Sequence, residues 1–308
     1  MAIYGDANTS VEASMQGEEQ LTFIEFARLH GVDINPARLY ASDKIKRCPT
    51  VDKPRSDNGA YFWDGRRGWV MDWSGEARVI WFDGDQTPWT PEEKAQWAAQ
   101  RRSQLSEQEQ AYQRAASTAE TILRGCELKE HQYLSYKGLG EEKGLVKGEL
   151  LLVPMRNVVT RKIQGYQSIY WDPKDRRYLK KMFPGMRARN AVLSLGSHKA
   201  EETWFVEGYS TGLSLKNALN TCGIDGRVVV TFSANNLVQV ANQVRGTKYV
   251  FADNDESETG QKAAEQTGLP WTMADQVGWD VNDLHVNAGL FAVVKKVMDL
   301  RLTSPETL

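Results

Sequence analysis

The last third of the chain alternates in texture. Three apolar runs, WFVEG, VVVTFS and YVFADND, are separated by segments of helical spacing over 210–219 and 235–244, and another follows near 260–266. Strand, helix, strand, helix predicts a parallel sheet with crossover helices. The pattern constrains function as well as fold, because ligands of such sheets bind just beyond the carboxyl ends of the strands.

That rule selects Glu207 at the end of the first run and Asp253 and Asp255 at the end of the third. Alternation along an extended segment lets Asp253 and Asp255 point the same way. Such a cluster repels itself unless cations occupy it, and oxygen ligation suits Mg2+ or Mn2+ held with waters and substrate phosphates. The chemistry this implies is phosphoryl or nucleotidyl transfer, or hydrolysis. Further acids, Asp280 and Asp283, stand in GWDVNDL before the terminal helix, and 251–283 carries a net charge of -7.

The segment before this region has the opposite sign. Between Arg156 and Arg189 the ten basic residues Arg156, Arg161, Lys162, Lys174, Arg176, Arg177, Lys180, Lys181, Arg187 and Arg189 face only Asp172 and Asp175, a net of +8. With Tyr166, Tyr170, Trp171, Tyr178 and Phe183 interleaved, this reads as a surface for phosphate backbone and stacked bases, or as a solvated basic face. The whole-chain balance, 38 Lys and Arg against 40 Asp and Glu, excludes a bulk polycation but conceals both stretches.

The first hundred residues differ again. LTFIEFARLHGVDI has the spacing of a short docking helix ending at Gly31, after a polar, acidic lead-in over 1–20. Aromatic runs broken by glycine then predict antiparallel hairpins turning at Asp64-Gly65 and Ser74-Gly75. Six of the ten tryptophans, Trp63, Trp69, Trp73, Trp81, Trp89 and Trp97, fall here, with Arg66 and Arg67 among them. They suit either the core of a small sheet or a stacking platform for single-stranded nucleic acid. Thr90-Pro91-Glu92-Glu93 is a helix start, and the polar, proline-free stretch to Gly125 predicts a spacer helix about 50 Å long.

A length of 308 residues suits two or three compact units, and 41% hydrophobic residues exclude a long disordered chain. Cys48, Cys126 and Cys222 form no CxxC pair, so a disulfide scaffold and a four-cysteine zinc site are both excluded and a reducing cytoplasm is expected. No apolar run approaches the ~18 residues that span a bilayer, and the N-terminus lacks signal-peptide character. His30, His131, His198 and His285 are scattered and are not expected to be ligands.

VEGYSTGLSL, VVVTFSANNL, VFADNDESETGQKAAE and GWDVNDL together resemble the Toprim domain of plasmid and phage primases of the TraC type, relatives of DnaG-type primases and topoisomerase domains. HQYLSYKGL, LLVPMRN, YQSIYW and RRYLKKMF resemble the segment that precedes Toprim in those primases, so the likeness covers about 130–300. It implies an α/β fold: a Rossmann-like Toprim domain at 200–308, a basic α+β subdomain at 127–199, a long linker helix at 90–126 and an aromatic-rich β module at 1–89. The module occupies the place of a zinc ribbon but has only Cys48, so no zinc is expected.

The resemblance further implies that Glu207, Asp253 and Asp255 are catalytic and bind metal, that Asp280 and Asp283 belong to the metal-binding set as its auxiliary acidic motif, and that Gly208 permits a tight strand-to-helix turn. The basic residues, Lys180 and Lys181 above all, would hold template or nucleoside triphosphate. The function implied is a primase that makes short RNA primers on single-stranded DNA by two-metal nucleotidyl transfer, in the cytoplasm of a bacterial cell and encoded by a phage or plasmid. With no GxxxxGK[ST] motif, a helicase would be a separate partner. A metal-dependent Toprim nuclease and a non-catalytic single-strand-binding accessory protein remain alternatives.

Overall fold

The structure, a computed structural model, describes residues 21–73, 78–82 and 90–304. The lead-in at 1–20, the turn at Ser74-Gly75, Trp89 and the side chain of Trp97 lie outside the described residues. The chain divides into two compact units, 1–98 and 99–308.

In the first unit, helix α1 (Phe23–Leu29) opens on a reciprocal cap in which Thr22 and Glu25 each accept the other's backbone N–H. Strands β1 (Ser42–Cys48), β2 (Gly59–Trp63), β3 (Gly68–Asp72) and β4 (Ile80–Phe82) form an antiparallel meander in that order. The turn at Asp64-Gly65 is as expected: Gly65 has φ +101°, and the Asp64 carboxylate accepts the N–H groups of Arg66 and Arg67. One face of the sheet makes a core with α1 from Phe23, Ala27, Tyr61, Val70 and Phe82. Phe23 stacks on Trp63 at 4.5 Å, and a Cβ on Gly68 would lie 2.7 Å from the Phe23 ring, so only glycine admits that ring. The tryptophans divide between the two readings: Trp63 joins the core, whereas Trp73 and Trp81 are half exposed.

Helix α2 (Pro91–Arg124) begins at the expected proline and runs 34 residues across the boundary between units. Its second half is not a bare spacer. Tyr112, Ala119 and Leu123 fall on one face at helical spacing; Ala119 and Leu123 are buried, and Tyr112 lies 4.8 Å under the Arg187 guanidinium, which also pairs with Glu109. The Gln, Glu and Arg that dominate the helix hide this narrow docking stripe in the sequence.

The rest of the second unit is one mixed α/β structure. Its elements are β5 (Glu127–Lys129), α3 (Gln132–Tyr136), β6 (Gly144–Lys147), β7 (Leu150–Asn157), β8 (Ile163–Asp172), β9 (Arg177–Met182), β10 (Ala191–Leu195), β11 (Glu202–Val206), α4 (Tyr209–Thr221), β12 (Gly226–Val230), α5 (Ala234–Ala241), β13 (Thr247–Ala252), α6 (Thr259–Thr267), β14 (Trp271–Met273), α7 (Val281–Ala288) and α8 (Leu290–Thr303). Strands β14-β13-β11-β12 are mutually parallel. β10 runs antiparallel between β12 and β7 and carries the sheet on to β6 and β5, while β8 and β9 extend from β7. The boundary expected at 199/200 therefore falls in a loop within one sheet.

Apolar residues on both faces of β11, β12 and β13 explain why helices cover both sides. Trp204, Val206, Val228, Val230 and Phe251 pack with α4, α7 and α8, and Phe205, Val229 and Val250 pack with α5 and α6. α4 also sends Tyr209 and Leu213 into a third core with Tyr133, Leu134, Val153 and Ile169, which fixes the basic half against the parallel strands. Fourteen fully or largely buried side chains in the first of these clusters make it the rigid base of the cleft described next.

Candidate functional site

The cleft opens at the carboxyl ends of the parallel strands. It has a volume of about 460 Å3 and is lined by Glu207 after β11, Ser233 and Asn235 at the start of α5, Asp253, Asn254 and Asp255 after β13, and Trp279, Asp280 and Asp283 around the start of α7. All five sequence-expected carboxylates thus line one cavity.

Their environments differ. Asp253 Oδ1 is buried and has no hydrogen-bond partner among the described residues. Burial first, then the carboxylates of Asp280 and Glu207, push the Asp253 pKa up to about 8, against the opposing charge of Lys180. Burial and Asp255 also raise Glu207, again opposed by Lys180. Asp255 is held low, chiefly by the Ser257 hydroxyl at 2.5 Å and also by the N–H groups of Thr259 and Gly260 at the start of α6.

Asp280 and Asp283 form a capping box for α7: Asp280 Oδ1 accepts the Asp283 N–H at 2.9 Å, and Asp283 Oδ2 accepts the Asp280 N–H at 3.2 Å. Asp280 Oδ2 accepts from Thr211 Oγ1 at 3.0 Å, and Asp283 Oδ1 lies 3.6 Å from Lys137 Nζ. The Asp-x-x-Asp spacing before an apolar helix carries this cap in the sequence.

Gly208 requires a correction of cause. It is the N-cap of α4 with φ -93°, a conformation open to any residue, so no special turn demands glycine. A Cβ there would lie 2.8 Å from Thr211 Oγ1, the hydroxyl that holds Asp280. Close approach, rather than a positive φ, is what glycine serves.

Two asparagines without a role in the sequence reading shape the site. Asn254 pairs through its backbone with Trp279 and donates from its side chain to the Ala274 carbonyl, bringing Asp253 beside Asp280. Asn282 is fully buried and ties the Lys137 carbonyl to α7. Phe232, whose φ of +64° is rare for a bulky residue, donates its N–H to the Glu207 carbonyl.

The basic residues do not form one patch. Lys180 lies over the Tyr133 ring and acts on Glu207 and Asp253, whereas its neighbour Lys181 lies over Tyr170 on the other face of β9. Arg176 and Arg177 are at the β8–β9 hairpin tip, where Arg177 pairs with Asp175 at 3.1 Å. Arg187 is bound to α2, and the Arg189 carbonyl accepts from Gln164. Arg156 donates to the Arg161 carbonyl, with Lys162 adjoining, and Arg161 acts on Arg227 and His198. Sequence proximity thus spreads over several surfaces, and it is the charge of Lys180 that acts on Glu207 and Asp253.

Among the described residues, no three His, Cys, Asp or Glu side chains close into a cage for a metal ion. The donor set still fits Mg2+ or Mn2+, which take one or two carboxylates and complete their shell with water and phosphate. The unpartnered Asp253 oxygen is the observation behind that fit. No helix among the described residues is long and apolar enough to cross a membrane.

Comparison with known proteins gives likeness to solved structures alone. No family model matches the chain, and no curated protein matches it. A solved structure of the DnaG catalytic core is similar with a TM-score of 0.35 and 16% identity, covering 55% of this chain. The matched region spans 58% of that structure's chain.

Proposed function

We propose that this chain is a metal-dependent nucleotidyltransferase acting as a primase, which joins ribonucleotides on a single-stranded DNA template. One observation carries the reading: the buried, unpartnered Asp253 oxygen lines one cleft with Glu207 at the carboxyl edge of a parallel sheet, where the charge of Lys180 acts on both. Carboxylates that need a cation, beside a lysine fit for phosphate, suit a nucleoside triphosphate.

In this reading the 3′ hydroxyl oxygen of the growing strand forms a bond to the α-phosphorus as its proton passes to solvent, and the bond to pyrophosphate breaks. Glu207 and Asp253 would hold the divalent cation, with Asp255 at the rim. Bound there, Mg2+ or Mn2+ supplies charge neutralisation at the phosphoryl oxygens. Asp253 would serve as a ligand only in its deprotonated form. Lys180 orients the phosphates, and Ser233 and Asn235 border the space the nucleotide occupies. The other basic residues offer separate contacts for single-stranded DNA, and a helicase would act as a separate partner.

The test is primer synthesis on single-stranded DNA with NTPs and Mg2+ or Mn2+. Oligoribonucleotides are expected, reduced at least about 100-fold in Glu207→Gln. No product under any of these conditions overturns the reading. DNA shortened without NTPs would assign the same residues to hydrolysis.

A further inference from the structure

We propose that Lys137, anchored by Asn282, is a built-in counter-ion that commits Asp280 and Asp283 to structure and confines the divalent cation to Glu207 and Asp253. The proposal rests on the metal-binding reading above and assigns positioning roles within it.

The two acid pairs contrast in how their oxygens are used. Each oxygen of Asp280 and Asp283 already has a partner: two backbone N–H groups, the Thr211 hydroxyl and the Lys137 ammonium. Asp253 Oδ1 has none. A cation settling between Asp280 and Asp283 would have to expel Lys137 and open the cap that starts α7.

Lys137 is held in place from behind. It is the C-cap of α3, and its side chain is 24% exposed against 35% for Asp283. Its carbonyl accepts from Asn282 Nδ2 at 2.9 Å across 145 residues of sequence. Asn282 also donates to Ser214 Oγ at 3.0 Å, and Ser214 in turn meets His285 Nδ1 at 3.0 Å. Next to Lys137, a Cβ on Gly138 would lie 2.9 Å from Val286 Cγ2 of α7, so the turn is seated on the helix. With both its backbone and its turn fixed, the ammonium is brought beside Asp283 at the cost of side-chain freedom alone. Removing it would leave two facing carboxylates with no cation, the condition that attracts a divalent ion.

Mn2+ titration of the full chain, read by electron paramagnetic resonance, tests this without any need for turnover. Asp253→Asn should weaken Mn2+ binding about tenfold or more, and Asp283→Asn should leave it within about threefold. Lys137→Met should add one weaker Mn2+ equivalent that Lys137→Met/Asp283→Asn lacks. Asn282→Ala should admit the same extra ion with the lysine still present, and Lys137→Arg should restore the wild-type count. Thermal unfolding of each metal-free variant shows that it is folded. Loss of an Mn2+ equivalent in Asp283→Asn alone, or an unchanged count in Lys137→Met, overturns the proposal. If Asp253→Asn instead binds Mn2+ as the wild type does, the principal site assigned under the proposed function is what fails, whatever Lys137→Met shows.

Discussion

Asn254 N–H donates to the Trp279 carbonyl at 3.1 Å, so the residue between Asp253 and Asp255 is stitched to the residue before Asp280. Its side chain adds a bond to the Ala274 carbonyl at 2.9 Å. Asn254→Ala keeps the backbone stitch and removes the side-chain one, which leaves a carbonyl in want of a partner. The expected cost is about 1–2 kcal/mol in urea unfolding, with a several-fold weaker Mn2+ affinity. Unchanged values on both measures would show that the side chain does not hold the strand end.

Gly260 offers a sharper probe of the same strand end. A Cβ there would stand 2.4 Å from the Asp253 carbonyl oxygen, a backbone atom that cannot swing aside. Gly260→Ala should therefore displace α6 or Asp253, costing about 1–3 kcal/mol and weakening Mn2+ binding. Gly223→Ala is the control: at φ +69° it strains the backbone by about 1 kcal/mol, but it meets no neighbouring atom and lies outside the cleft. Equal effects of the two substitutions on Mn2+ affinity would refute the steric account.

Phe232 supports the opposite wall. Its ring packs against three separate core clusters, and its N–H bonds the Glu207 carbonyl at 3.0 Å. That packing holds a bulky residue at a positive φ, so Phe232→Ala should cost about 2–4 kcal/mol, and Phe232→Leu less. Urea midpoints at constant slope decide it; a loss under 1 kcal/mol in Phe232→Ala would mean the backbone alone fixes the turn.

What the sequence disclosed follows from which signals are local. β11 and β13 end in acids after runs too apolar to face water, so Glu207, Asp253 and Asp255 could be placed on one sheet edge from pattern alone. The basic residues could not, because a charge count ignores side: Lys180 and Lys181 are neighbours in sequence and on opposite faces of β9. Lys137 was invisible for another reason. It meets Asp283 across the fold, where Asn282 grips its carbonyl, and no spacing in the chain records that contact. Asp280 and Asp283 show the converse: a local capping signal was present, and the acidity of the motif masked it.

The protonation of Asp253 sets the pH behaviour of the site. Its folded pKa of about 8 exceeds the ordinary value of about 3.9, so between those values the folded chain holds a proton that the unfolded chain releases. Stability of the metal-free protein should therefore fall as pH rises from about 4 to 8, and Glu207, also raised, adds in the same direction. A cation must displace that proton, so Mn2+ affinity should climb by up to about tenfold per pH unit below 8 and level off above it. Asp253→Asn should stabilise the metal-free chain at pH 8 by on the order of 2 kcal/mol and flatten both profiles. Urea unfolding with chelator from pH 5 to 9, alongside Mn2+ titration, checks the pair; metal-free stability that rises across this window would contradict a buried, protonated Asp253.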